Sequence, residues 1–246
     1  MLHMKISGRR DQVGPERALN ISRLIASALF ILLSMTATSA SSDTARITGS
    51  VRKIVDGDTF DIGVVRVRLY GIDAPEAGQS CQTVSGKFWA CGTEATNRLA
   101  DLILGKAIEC EAVDTDVYGR IIGNCRLDNA NINQLMVEAG LAWAFVRYST
   151  AYTVNEAAAR AAGKGIWQGA AQEPWIYREN SWERAVASSP SGCPIKGNIN
   201  KEGEKIYHTP WSPVYRRTKI NEADGERWFC NEAEAIDAGW RAPYWR

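Results

Sequence analysis

The sequence predicts an α+β protein, mainly β, in which a small five-stranded Greek-key barrel is packed by about three helices. A small C-terminal module follows the barrel. Two observations support this fold class. Five short segments rich in β-branched and apolar residues are separated by turn residues. Three segments with helical periodicity lie after the third and the fifth of these strands.

The strands follow one another along the first half of the chain. We predict them at residues 47–55, 59–62, 65–70, 107–113 and 121–127. Asp56-Gly57-Asp58 forms the first turn, because Gly and Asp accept the backbone conformations that tight turns need. Residues 65–70 alternate between apolar and polar types, which predicts a strand with one apolar face.

Three helices are predicted at residues 93–104, 131–139 and 153–164. Gly105 ends the first helix, since glycine is the usual residue just beyond a helix C-terminus. Asn131 is a suitable N-cap for the second. Thr153 and Glu156 have the spacing of a capping box at the start of the third.

The first forty residues have the pattern of a secretory signal. Four arginines precede an apolar run from Leu24 to Leu33, and small residues follow at Thr38–Ala40. The run is shorter than the roughly 20 residues that span a bilayer. We therefore expect export, to the periplasm or the exterior, and no stable membrane association after cleavage of the leader. An uncleaved anchor is the alternative.

The charge balance of the rest of the chain is slightly acidic. Five of the 29 basic residues and two of the 28 acidic residues lie in the predicted leader. Dedicated nucleic-acid binders are typically basic. A polyanionic ligand would therefore have to be held by a local patch and a bound cation.

All six cysteines follow the predicted leader, which indicates disulfides formed in an oxidising compartment. Their order along the chain suggests the pairs Cys81–Cys91, Cys110–Cys125 and Cys193–Cys230. Six cysteines allow 15 connectivities, so this pairing is a hypothesis. Buried free thiols are the alternative for some of them, and zinc binding by Cys193, His208 and Cys230 is a weaker one.

Carboxylates and arginines carry the chemistry of the main domain. Outside the predicted leader the only histidine is His208, so a histidine base in the barrel is excluded. Asp58 and Asp73 lie at strand ends, and hard cations such as Ca²⁺ prefer oxygen ligands. Arg68 and Arg120 offer planar guanidinium groups, which match phosphate oxygens in pairs. This set suits phosphodiester hydrolysis.

Each residue also has an ordinary structural interpretation. Asp56-Gly57-Asp58 can be a simple turn, and Arg68 can be a surface residue of its strand. Arg120 can pair with Asp114 or Asp116. The order of the whole set along the chain is therefore more informative than any one motif.

That order resembles the thermonuclease (staphylococcal-nuclease-like) family. The matching segments are Val55–Thr59, Val67–Glu76, Asp116–Arg120, Asn133–Ala142 and Gly165–Trp167, in collinear order over residues 45–170. The resemblance implies an OB-fold barrel and Ca²⁺-dependent hydrolysis of DNA and RNA. It also implies products with 3′-phosphate and 5′-hydroxyl ends.

The resemblance implies one bound Ca²⁺ ion. Asp58 and Asp73 would be its carboxylate ligands, and the carbonyl oxygen of Ala74 would be a further ligand.

The resemblance also implies the substrate contacts. Arg68 and Arg120 would bind the scissile phosphate and stabilise its transition state, while Glu76 would position or deprotonate the attacking water. Tyr118 would line the nucleotide pocket, with Tyr148 as a second wall.

The predicted organisation is a signal peptide, a nuclease-like domain, a linker and a small disulfide-stapled module, at residues 1–40, 44–178, 179–192 and 193–246. We expect a monomer that acts on DNA or RNA. The alternative is a non-catalytic OB-fold module that binds nucleic acid without cutting it.

Overall fold

A closed five-stranded barrel, as predicted, forms the centre of the structure. The computed structural model describes residues 45–244, which belong to one compact unit. Residues 1–44 lie outside this range, and with them the predicted signal peptide. The elements up to residue 161 are β1 (Arg46–Ile54), β2 (Thr59–Ile62), β3 (Val65–Leu69), β4 (Ile72–Asp73), β5 (Cys81–Gln82), β6 (Phe88–Trp89), α1 (Cys91–Ile103), β7 (Ala107–Thr115), β8 (Ile121–Leu127), β9 (Ala130–Asn131), α2 (Ile132–Glu138), β10 (Trp143–Ala144) and α3 (Thr153–Ala161).

The C-terminal part of the chain adds two helices and a small sheet. The elements are α4 (Pro174–Val186), β11 (Ile195–Ile199), β12 (Lys205–His208), β13 (Arg227–Phe229) and α5 (Glu232–Asp237). Short 3₁₀ turns lie at Gly165–Gln168, Pro190–Gly192 and Glu222–Asp224. Within residues 45–244, no helix has the length and apolar character needed to cross a membrane.

Barrel closure depends on a pairing that local sequence does not reveal. The strand order is β3-β2-β1-β7-β8, and β3 then pairs with β8 in parallel, with Val67 opposite Ile121. The alternation in β3 places Val67 and Leu69 in the core, where both are buried. Asn133 of α2 fastens this closure. Its side chain accepts from the Cys125 N–H at 3.0 Å and donates to the Tyr70 carbonyl at 2.9 Å.

The sequence predicted side-chain caps at the starts of α2 and α3, and the structure confirms only the first. Asn131 caps α2 as expected, because its side-chain oxygen accepts from the Gln134 N–H at 3.0 Å. The predicted capping box of α3 is wrong. The carboxylate of Glu156 accepts instead from the Ala144 N–H at 2.7 Å, so it holds β10 and leaves the helix N-terminus without a side-chain cap.

The three hypothesised disulfides are all present. Cys81–Cys91, Cys110–Cys125 and Cys193–Cys230 are bonded, and the described residues include no free cysteine. Cys110 and Cys125 lie opposite each other on β7 and β8. The zinc interpretation is therefore wrong, because its two thiolates are consumed in a disulfide.

The C-terminal part packs directly on the barrel. The sheet has the order β12-β11-β13, and its apolar cluster includes Val55, which follows β1, and Trp182 of α4. The helix α4 was not predicted, and its second half occupies residues 179–186 of the predicted linker. Val55 immediately precedes the turn Asp56-Gly57-Asp58, so the C-terminal part packs next to the turn that carries the predicted site residue Asp58.

His208, in the C-terminal part, makes the stability of the folded protein depend on pH. It is buried, with Nε2 2.8 Å from Asn198 Oδ1, and burial together with Lys196 and Arg241 lowers its pKa from 6.5 to about 4. The folded protein therefore holds His208 neutral between pH 6.5 and 4, while the unfolded chain binds a proton there. Its contribution to stability is complete above pH 6.5 and decreases as the pH falls through this window.

We expect this residue to account for about 2–3 kcal/mol of the stability lost between pH 6.5 and 4. The measurement is urea unfolding of the wild type and His208→Gln across that range. Other acid groups titrate equally in both proteins, so the difference isolates His208. Identical pH slopes in the two proteins would contradict the prediction.

Candidate active site

Three acidic residues lie in two adjoining loops at one end of the barrel. Asp58 precedes β2, while Asp73 ends β4 and Glu76 follows it. The first loop is closely packed, because a Cβ on Gly57 would lie 2.7 Å from the Ala95 Cβ. The second loop is also closely packed, because a Cβ on Gly92 would lie 1.7 Å from the Glu76 carbonyl oxygen. Only glycine fits at these two contacts, which bring α1 against both loops.

Hydrogen bonds fix the Asp58 carboxylate. Its Oδ1 accepts from the Thr59 hydroxyl at 2.8 Å and from Arg68 Nη1 at 2.8 Å. Its Oδ2 accepts from the Ala74 N–H at 3.0 Å. Burial raises the pKa of Asp58, and the charge of Arg68 opposes that rise. The two loops are therefore tied together through this one side chain.

Arg68 bridges two of the acidic residues. Its Nη2 lies 2.7 Å from Asp73 Oδ1, while Nη1 holds Asp58. Burial lowers the pKa of Arg68, but the charges of Asp58 and Asp73 outweigh burial and leave the pKa raised. Arg68 uses two of its five N–H groups in these contacts, so others can meet a phosphate.

A second arginine, which the sequence analysis did not identify, completes the cluster. Arg178 of α4 places Nη2 2.7 Å from Asp73 Oδ2 and Nη1 2.6 Å from Glu76 Oε1. Burial raises the pKa of Glu76, while the charge of Arg178 and its hydrogen bond oppose the rise. The spacing of Trp175, Arg178 and Trp182 at i, i+3 and i+7 was the available signal, since it puts the arginine on the packed face of a helix.

The acidic residues fit a hard cation. Asp58 Oδ2 and Asp73 Oδ2 each accept one hydrogen bond, so each has a lone pair left for a further ligand. These carboxylates, and the Ala74 carbonyl predicted from the sequence as a further ligand, offer oxygen atoms, the ligand type that Ca²⁺ prefers. In residues 45–244 no three His, Cys, Asp or Glu side chains form a metal-binding group. A site of two carboxylates and one carbonyl is compatible with that result.

Arg120 and Tyr118 lie on the β7–β8 connection and belong to a different group of contacts. Arg120 Nε lies 2.6 Å from Asp116 Oδ2, which is one of the pairings considered from the sequence, and its guanidinium lies 5.2 Å from the Tyr118 ring. Burial raises the pKa of Glu232 in α5, and the charge of Arg120 opposes that rise. The structure therefore places Arg120 within electrostatic reach of the C-terminal part, without an ion pair to Asp58, Asp73 or Glu76.

Tyr148 is the most exposed of the predicted site residues. The residue is 60% exposed, its ring contacts Phe145, and its carbonyl accepts from the Tyr70 hydroxyl at 2.6 Å. A cavity of about 460 Å³ lies elsewhere, between β5 and α3, and none of the predicted site residues lines it. The acidic cluster therefore remains the candidate site.

An OB-fold barrel with buried carboxylates and arginines at one end is the arrangement of a metal-dependent phosphodiesterase. Residues 66–169 match the family model described as staphylococcal nuclease homologue, and residues 177–242 match a second model described as ArfC. The chain is 35% identical to a micrococcal nuclease of Shigella flexneri over 182 residues, which cover 67% of this chain and 95% of that protein.

Two further relatives have similar identities. An uncharacterized endonuclease of Escherichia coli is 36% identical over 142 residues, covering 54% of this chain and 86% of that protein. A probable staphylococcal-like nuclease, CAN3, of Oryza sativa is 33% identical over 118 residues, covering 47% of this chain and 29% of that protein. The chain belongs to the staphylococcal nuclease homologue family. It is a nuclease, a hydrolase of phosphodiester bonds that acts on nucleic acids with the help of a metal ion.

Proposed function

We propose that this protein is an exported, Ca²⁺-dependent nuclease that cleaves DNA, RNA or both as a monomer and leaves 3′-phosphate and 5′-hydroxyl ends. The observation that carries the proposal is the buried cluster of Asp58, Arg68, Asp73 and Glu76. Export is supported by three disulfides, because such bonds persist in oxidising compartments.

Asp58, Asp73 and the Ala74 carbonyl would hold the ion. A bound Ca²⁺ would supply positive charge against the phosphate oxygens. Both carboxylates are buried and their orientation is fixed by hydrogen bonds, so little reorganisation is needed to present their free lone pairs. Such preorganisation is what makes electrostatic stabilisation effective.

Arg68 and Arg120 would bind the scissile phosphate. Arg68 can hold its two aspartates and still direct N–H groups at a phosphate oxygen. Arg120 uses its Nε and its backbone N–H on Asp116, which leaves four guanidinium N–H groups. As negative charge builds up on the phosphorus substituents, these donors stabilise the pentacoordinate transition state.

Glu76 would position the attacking water and accept its proton. Its Oε1 is held by Arg178, and among the described residues no donor binds Oε2, so that oxygen can face a water. The water oxygen would attack phosphorus as Glu76 takes its proton, the bond between phosphorus and the 5′ oxygen would break, and the departing 5′ oxygen would take a proton from solvent. Tyr118 would line the nucleotide pocket, with the exposed Tyr148 as its second wall.

The test is cleavage of single-stranded DNA, double-stranded DNA and RNA by the protein without residues 1–40. We expect cutting with Ca²⁺, loss of cutting on chelation, and recovery when Ca²⁺ is restored. Products that accept a 5′ label from polynucleotide kinase without prior phosphatase treatment would carry 5′-hydroxyl ends. Protein that binds nucleic acid yet cuts none with any divalent ion would favour the non-catalytic binding module.

A further inference from the structure

The segment from Gln172 to Trp182, which includes most of α4, is anchored on both sides of Arg178. Trp175 stacks on Phe145 with ring centroids 5.2 Å apart, and Trp182 lies 6.3 Å from Trp211. These contacts fix the direction of α4, so the Arg178 side chain approaches the acidic cluster from a defined position.

The loop of Glu76 is fastened to the same segment. Gln79 is almost fully buried, and its Oε1 accepts from the Glu76 N–H at 3.2 Å. Its Nε2 donates to the Gln172 carbonyl at 2.6 Å, just before α4 begins. In addition, the Tyr177 hydroxyl donates to the Gly78 carbonyl at 3.3 Å. The start of α4 and the Glu76 loop are therefore held together by three independent contacts, including the ion pair itself.

The Arg178 contacts differ from a surface ion pair. The Asp73 side chain is completely buried and that of Glu76 is 10% exposed. Exposed pairs contribute little, whereas a buried carboxylate that loses its partner is strongly unfavourable. One guanidinium joins the two acids, with three N–O contacts of 3.1, 2.7 and 2.6 Å. Arg178 therefore bridges these two carboxylates.

The sum of charges in the site indicates that Arg178 stays paired with the carboxylates when a cation and substrate bind. Asp58, Asp73 and Glu76 together with Arg68 and Arg178 leave one net negative charge. A divalent cation and a phosphodiester together bring one net positive charge, which would balance these five side chains in the complex. Without Arg178 it would hold an uncompensated negative charge in a buried site, which is costly.

We propose that Arg178 is a positioning residue of the nuclease site, supplied by the segment that matches the second family model. It holds Asp73 for the cation and Glu76 for the water at a fixed separation. This role rests on the proposed function, because it concerns the residues assigned there. With this role, α4 contributes a residue to the active site, although the match to the nuclease family model ends at residue 169.

The experiment compares Arg178→Gln and Arg178→Lys with Arg184→Gln in the protein without residues 1–40. Arg184 lies on the same helix and is exposed, and its guanidinium donates to the Ser181 hydroxyl at 3.2 Å, so its variant matches the charge change. Initial rates on a single-stranded oligonucleotide give kcat and KM at saturating Ca²⁺. Calorimetric titration gives the Ca²⁺ affinity without substrate, and urea unfolding gives stability.

For Arg178→Gln we expect kcat and Ca²⁺ affinity each to fall by about 10- to 100-fold, as when the partner of a metal ligand is removed. KM should change much less, because Arg178 acts through Glu76 and Asp73. Arg178→Lys should recover part of the loss, since an ammonium can still contact one carboxylate. Arg184→Gln should behave as wild type.

Tighter Ca²⁺ binding by Arg178→Gln, with kcat retained or increased, would overturn the proposal, because Arg178 would then compete with the cation. Unchanged Ca²⁺ affinity and kcat would also overturn it. If the wild type does not cut, the proposed function fails, while the Ca²⁺ titration still tests whether Arg178 orients Asp73. The proposal would also fail if Arg178→Lys recovered none of the activity and both Arg178 variants lost stability equally. Arg178 would then be needed only for folding.

Discussion

Replacing Glu76 by glutamine is expected to lower kcat for nucleic-acid cleavage by about 10²- to 10⁴-fold, the usual contribution of a positioned general base. Glutamine keeps the size of the side chain and can still accept a hydrogen bond from Arg178. Its amide, however, cannot take a proton from the attacking water. Because the Glu76 side chain is only 10% exposed, bulk solvent is poorly placed to replace it. The measurement is the initial rate on single-stranded DNA at saturating Ca²⁺.

Glu94→Gln is the matched control, because Glu94 is an exposed carboxylate in the first turn of α1. Its kcat should stay within about twofold of wild type, as surface substitutions away from a site are nearly neutral. A Glu76→Gln protein whose kcat also stays within that range would remove Glu76 from the water-activation step. Far-UV circular dichroism of each variant separates loss of chemistry from loss of fold.

The barrel and part of the site follow from local patterns in the sequence. The alternation in residues 65–70 predicted β3, which the structure forms over Val65–Leu69 with Val67 and Leu69 inside. The same alternation puts Arg68 on the opposite face, where it pairs across the sheet with Thr59, next to Asp58. A period of two along one strand therefore predicts both a core face and the position of a functional arginine.

The remaining features depend on contacts between distant parts of the chain. Arg178 lies 105 residues from Asp73 along the sequence, and no local pattern identifies a partner at that separation. For Glu156 the error is different, because a local pattern predicted a partner that the side chain does not bind. Its spacing from Thr153 fits a capping box, yet the carboxylate is used by the backbone of β10. Helical spacing indicates which face a residue occupies, but tertiary packing selects its partner.

The predicted boundary at residue 178 shows how the two parts of the chain depend on each other. It falls in the middle of α4, at the residue whose side chain reaches the acidic cluster. Val55 belongs to the apolar cluster of the C-terminal part, and it immediately precedes the turn that carries Asp58. The C-terminal part thus touches both loops of the candidate site, which a module joined only by a flexible linker would not do.

Replacing Arg68 by lysine is expected to reduce both activity and stability. A lysine ammonium cannot present the two parallel donors that now hold Asp58 and Asp73 at 2.8 and 2.7 Å. We expect kcat/KM to fall by about 10²- to 10³-fold, as when one preorganised donor to the transition state is lost. The free energy of unfolding should fall by about 1–3 kcal/mol, because at least one buried carboxylate loses a partner. Initial rates and urea unfolding at pH 7 measure the two effects.

Arg120→Lys should separate these two effects. The Arg120 and Asp116 side chains are 24% and 19% exposed, so their ion pair is more open to solvent than those of Arg68. We expect a comparable loss of kcat/KM with a change in unfolding free energy below about 1 kcal/mol. If Arg68→Lys and Arg120→Lys lowered the free energy of unfolding equally, burial of Asp58 and Asp73 would not explain the contribution of Arg68 to stability. Full activity in Arg120→Lys would exclude two-pronged phosphate binding at that position, because a single ammonium would then be sufficient.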